Sequence, residues 1–198
     1  MKTLLLSSAL LLNGLLAQAQ TQANHWDFEP SHCKIRFSVA HFGISETEGE
    51  FHKFSGTIAP TAKADFADAA VTFTIDVSSI DTDDAQRDAH LKSADFFDAA
   101  KYPTMEYKGR LVKGSTPRDY KLVGTLTMHG VSKPLTLNVL YGGTIAKDPF
   151  GNTKAGFKAT GALNRKDWGL TWNKALDAGG VAVGDEVALV CNIELIQK

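Results

Sequence analysis

The sequence predicts an all-β domain of about eight antiparallel strands, interrupted by one short helical insertion around residues 82–100. Three observations carry that reading. Apolar residues recur with a period of two along most of the chain, turn residues stand wherever the alternation stops, and a single segment rich in Asp and Ala breaks the rhythm.

The chain opens on a segment that is not part of the domain. Met1 and Lys2 form a short basic start, Leu4 to Leu16 an apolar run, and Ala17, Gln18 and Ala19 a small-residue cleavage pattern. A membrane-spanning helix needs about 20 apolar residues, and this run gives way to glutamines earlier. Residues 1–19 therefore read as a signal peptide and residues 20–198 as one exported domain, with a bacterial periplasm as its expected compartment.

The first strand shows Cys33, Ile35, Phe37 and Val39 alternating with Lys34, Arg36 and Ser38. Between Glu46 and Ile58 the phase slips, since Phe51 has one parity and Phe54 and Ile58 the other; a bulge near His52 and Lys53 absorbs the extra residue. Val71, Phe73, Ile75 and Val77 continue the pattern, followed by Met105, Tyr107 and Leu111. Tyr120, Leu122, Leu126 and Met128 come next, then Leu135, Leu137, Val139 and Tyr141, then Phe157 and Leu163, and last Val187 to Leu195. Strict alternation gives each sheet one wet face. Short punctuation such as His41-Phe42-Gly43, His129-Gly130 and Gly142-Gly143 makes sequential strands antiparallel neighbours.

The exception runs from Asp81 to Ala100, where Asp81, Thr82 and Asp83 are candidate N-caps and the segment, expected as two short helical pieces, ends before Pro103. Its Leu91, Phe96 and Phe97 need an apolar partner, which the open end of a barrel would supply. Eight strands suit a closed barrel or a two-sheet sandwich. The cysteines favour closure: Cys33 and Cys191 lie on the apolar parity of the first and last strands, which are neighbours in a barrel. That parity allows a disulfide if the register agrees, and two buried free thiols if it does not.

With 21 basic and 22 acidic residues and a net charge of −1, nothing selects a nucleic acid or an anionic membrane surface. Six histidines do not pair with cysteine or carboxylate at metal-ligand spacing, so no metal is expected. Asp81, Asp83, Asp84 and Asp88 resemble a calcium loop, but Gln86 stands where glycine is needed, and helix capping explains them better. Glu46, Glu48 and Glu50 form a solvated strand face. No nucleophile elbow, phosphate loop or dinucleotide fingerprint is present.

Several ordered stretches resemble the YceI-like family of exported polyisoprenoid-binding proteins. They include Pro30-Ser31-His32 with Ile35 to His41, Arg87 to Ser93, Asp95-Phe96-Phe97-Asp98, Gly124 to Val131, and Arg165-Lys166-Asp167-Trp168-Gly169. The chain departs from the family pattern at Cys33, where serine is usual, and at Trp168, where phenylalanine is common. The resemblance implies a closed eight-stranded lipocalin-like barrel that carries a prenyl chain, often as a homodimer. With no catalytic motif in the sequence, no catalysis and no cofactor are expected, nor a stable membrane insertion, but at most a transient membrane contact.

An eight-stranded barrel is either filled by side chains or holds one small ligand. Ala155, Ala159, Gly161 and Gly124 point inward by parity and predict space. The expected wall is Phe37, Val39 and Phe51, then Phe73 and Ile75, then Phe96 and Phe97 from the insertion. Tyr107, Leu126, Met128, Leu137, Val139, Phe157 and Leu189 complete it. His41, Arg165, Asp167, Trp168 and Trp172 are the expected head-group rim; the other reading is a surface Arg–Asp pair beside two packed indoles. The competing functions are a cavity enzyme using Tyr107, Tyr120 or His41, and an interaction protein on a packed barrel. An unfilled bore favours the carrier.

Overall fold

The computed structural model describes residues 25–61, 65–177 and 179–198. The expected signal peptide, residues 1–19, lies outside them. The strands are β1 (Trp26–Phe28), β2 (Lys34–His41), β3 (Ser45–Phe51), β4 (Phe54–Ala59), β5 (Ala70–Asp76) and β6 (Ile80–Asp81). After helix α1 (Ala85–Lys92) come β7 (Thr104–Lys113), β8 (Asp119–Met128), β9 (Val131–Ile145), β10 (Lys154–Asn164) and β11 (Val183–Gln197).

These eleven segments form eight staves of a closed antiparallel barrel. β1 and β2 are one stave broken by a 3-10 turn at Pro30–His32; both lie along β11, with Trp26 opposite Gln197 and Ile35 opposite Cys191. β3 and β4 are a second stave, kinked at His52 and Lys53 where the parity slips, as expected. β5 and β6 are a third, broken at Val77–Ser79, with β5 on β4 and β6 on β3. From β7 the hairpins follow in order to β11, and the β1–β11 and β2–β11 ladders close the ring. His129 and Gly130, at φ 51° and 73°, make the two-residue β8–β9 loop, whose paired left-handed residues match the twist of the flanking strands.

One gap remains in the wall. β3 meets β6 only at Glu50 and Phe51, so among the described residues the rest of its far edge has no strand partner. The helical insertion covers that gap. It is a single helix followed by turns, not two helices, and its cap is Asp84, whose carboxylate accepts from Gln86 N and Arg87 N; the cap is not Asp81, Thr82 or Asp83. Asp81 instead accepts from Asp83 N and meets His52 Nε2 at 2.8 Å, and Asp88 binds Thr82.

The disulfide is not formed. Cys191 stands opposite Ile35, which puts Cys33 two residues further along the ladder, too far out of register to bridge. Cys33 Sγ turns to the Glu194 backbone, 3.3 Å from both N and O, and burial pushes the Cys191 thiol up to about 12. Both stay thiols at neutral pH.

Candidate functional site: an apolar bore with one polar end

Alternation along all eight staves turns one apolar row from each toward the axis, and the rows do not meet. A central void offers about 140 Å³ to the centre of a water-sized sphere. Phe37, Val39, Phe51, Phe73, Ile75, Leu126, Met128, Leu137 and Leu189 border it as the parity predicts, and Phe96 and Phe97 cover it from the insertion. Val139 and Phe157 sit one level lower, on a second void of about 50 Å³ that shares Ile35, Phe73, Leu137 and Cys191 with the first. Toward the insertion a third void of about 270 Å³ shares Phe37, Val39, Leu91, Phe96 and Val183 with the central one. The three lie in line.

Tyr107 is not a wall residue. It is fully buried behind Phe73, ring on ring at 5.1 Å, and its hydroxyl donates to the carbonyls of Leu122 and Leu135. Its ring lies where a Cβ at Gly109 would stand, 2.8 Å from Tyr107 Cε1, and Gly124, opposite Gly109 across β7 and β8, lets the two backbones approach, since a Cβ there would meet Lys108 O and Gly109 Cα; neither glycine opens space for a ligand. Burial pushes Tyr107 up to about 12, and burial with the Asp65 carboxylate does the same for Tyr120. Both phenols hold their protons at neutral pH.

The lower end is plugged. Phe66 packs edge-on to Phe157 at 4.9 Å and against Trp26 at 5.4 Å, and Tyr120 donates to Asp65. Nearby, Glu29, His32 and Glu194 come close enough to hold a cation, but Lys154 Nζ already lies 2.6 Å from Glu29 Oε2 and 2.9 Å from Glu194 Oε1. The protein's own ammonium fills that place.

The expected rim separates into three parts. His41 and Trp172 do border the upper void. Arg165 is no rim group: it is 3% exposed, donating to the carbonyls of Leu170, Trp172, Val183 and Gly184, with Asp185 at 3.7 Å. Its side chain borders the central void while its guanidinium clasps the 170–184 segment to the end of β10. Trp168 is buried and donates from Nε1 to Leu126 O, and Asp167 is exposed, 3.8 Å from Lys133. Neither reaches the mouth.

Ile35, Met105, Leu135, Leu163, Val187 and Cys191 also line the bore, and their parity marks them in the sequence. Leu170 and Val183 carried no such mark, because the loop and the strand start that hold them are positioned by Arg165. Arg87, His90 and Lys174 at the upper void were likewise unmarked, since helix and loop periodicity says nothing about a mouth formed between them.

A closed antiparallel barrel around an apolar bore defines the class of cavity-bearing, lipocalin-like β-barrels. Within it the chain matches the YceI-like domain over residues 26–195, and it belongs to that family. Protein YceI of Escherichia coli is 38% identical over 172 residues, 87% of this chain and 85% of that protein. The YCEI protein of Campylobacter jejuni is 32% identical with a TM-score of 0.67, covering 80% of this chain and 90% of that one. A polyisoprenoid binding domain from Saccharophagus degradans shares the fold at a TM-score of 0.63 and 16% identity, over 87% of this chain and 98% of that domain.

Proposed function

We propose that the protein binds a long apolar lipid, of the polyisoprenoid or prenyl-quinone type, in its bore and carries or stores it in the periplasm without chemical change. The observation that carries this reading is the line of three voids, the central one walled by hydrocarbon from all eight staves. Water in such a space lacks partners and leaves readily. Each buried methylene contributes about 0.8 kcal/mol, so a tail of about twenty carbons offsets even the upper end, about 15 kcal/mol, of the usual cost of immobilisation. Affinity then grows with tail length and needs no specific contact along it. The export signal read in residues 1–19 supports the compartment, and the polyisoprenoid-binding domain of the same fold supports the ligand class. Loading from a bilayer requires a transient membrane contact by the open end.

The test is native purification from a periplasmic extract, then organic extraction and mass spectrometry. A prenyl or acyl chain in stoichiometric amount is the expected result. A protein that arrives empty and also fails to take up dodecanol overturns the proposal.

A further inference from the structure

The geometry points to the upper void as a head-group site for a phosphate- or carboxylate-type anion, so that the lipid carried is an anionic amphiphile. This rests on the carrier reading above and deepens it.

The void has two kinds of wall. Phe37 and Leu91 continue the hydrocarbon of the bore, while His41, Arg87, His90 and Lys174 bring nitrogen donors to the same space. A neutral tail would need none of them. Polar groups placed on an otherwise apolar pocket fix a ligand's orientation, and here they stand at one end alone, since the other is plugged by Phe66, Trp26 and Phe157.

Arg87 is held for this purpose by a buried hydroxyl. Thr82 is 4% exposed; its Oγ1 donates to Asp88 Oδ1 at 2.6 Å and accepts from Arg87 Nε at 2.8 Å, while Thr82 O accepts from Arg87 Nη2. Asp88 is occupied by Thr82 N and Oγ1, and Asp95 by His90 Nε2 at 3.0 Å. The charge of Arg87 reaches Asp84, whose carboxylate is taken up capping α1. Among the described residues, neither Arg87 nor Lys174 forms an ion pair, so both charges are available to a ligand in this void. Arg87 therefore presents Nη1 with its other donors fixed, and the exposed Lys174 brings an ammonium to the same void. A planar guanidinium with an ammonium at hand suits the oxygens of a phosphate or carboxylate.

The experiment compares dodecyl phosphate, dodecanoate and dodecanol on the full-length mature protein by calorimetry, in the wild type, Lys174→Gln and Arg87→Gln. Thermal melts identify any variant that has lost its fold, and Lys174→Gln, at an exposed position, keeps the test decisive if Arg87→Gln does not fold. At low salt at least one anionic amphiphile should bind about tenfold tighter than the alcohol. That ratio should collapse toward one in both variants. Preference for the phosphate over the carboxylate, or the reverse, distinguishes a prenyl phosphate from a fatty acid as the source of the anion. Equal affinity for all three in the wild type, or an unchanged ratio in a folded variant, overturns the head-group site and leaves the bore intact. Failure of all three to bind overturns the carrier reading itself.

Discussion

A methyl group added at Gly49 would stand 2.5 Å from Phe37 Cζ and 2.7 Å from Thr82 Cγ2, and one at Gly56 would stand 2.8 Å from the Phe28 ring. Along with Gly109 beneath Tyr107, these glycines are slots in the wall. Each lets a neighbouring ring lie flat against the sheet when it would otherwise cross the axis. The small residues that alternation places inside thus open the bore indirectly, by receiving side chains and not by leaving holes. Parity tells which face a residue takes, but the direction of an aromatic ring depends on what stands beside it in the next strand, so this was not legible in the sequence. Gly49→Ala should push Phe37 toward the axis, cost about 1–3 kcal/mol of stability and weaken dodecanol binding. Urea unfolding and calorimetry measure the two effects, and an affinity equal to wild type would contradict the slot.

Arg165 shows the same limit at the scale of elements. In the sequence it stands beside Asp167 and Trp168 and reads as part of a mouth; in the fold it is a buried clasp whose donors satisfy four carbonyls of the segment leading into β11. A guanidinium forks to several acceptors at once and an ammonium does not. Arg165→Ala should therefore cost about 3–5 kcal/mol, with faster amide exchange concentrated between residues 170 and 184. Arg165→Lys should recover little of it. Retained protection of that segment in Arg165→Ala would show that the clasp is not what holds it. The helical insertion was legible in existence and span because Asp and Ala break a period of two. Its cap moved to Asp84 because several acids compete there, and only the path of the chain out of β6 selects one.

Across the whole molecule, ionisation bounds the pH range in which the barrel stands. Glu29 is held below the usual carboxylate range by Lys154, Asp65 by Lys113, Asp76 by the Ser78 hydroxyl and Asp81 by His52. Asp84 and Asp148 are held low by backbone N–H groups, of Arg87 and Asn152 first. As pH falls through about 4, the ordinary carboxylate value, the unfolded chain takes up protons that the folded one resists, so stability drops there. At the alkaline end the sign reverses. Tyr107 and Tyr120 ionise near pH 10 when unfolded and near 12 when folded. Their contribution is whole below about pH 10 and is lost as pH rises toward 12. The Cys191 thiol, about 8.5 when unfolded and about 12 when folded, adds a loss that begins lower, so melting temperature should be flat between about pH 5 and 8 and fall on both sides; a maximum below pH 4 would contradict the assignment.

Strand parity, the phase slip at His52 and Lys53, and the single helical break are properties of consecutive residues, and they determined about eight antiparallel strands, each with one apolar face, while leaving a closed barrel and a two-sheet sandwich both open. Register, ring orientation and the meeting of α1 with the 172–183 segment are properties of residues distant in the chain. Only the closed tertiary structure decided that Cys33 and Cys191 stay apart, that Arg165 is buried, and that Arg87 and Lys174 face the open end. Alternation is a local steric rule of the backbone, whereas register and mouth follow from how eight staves and one helix pack together.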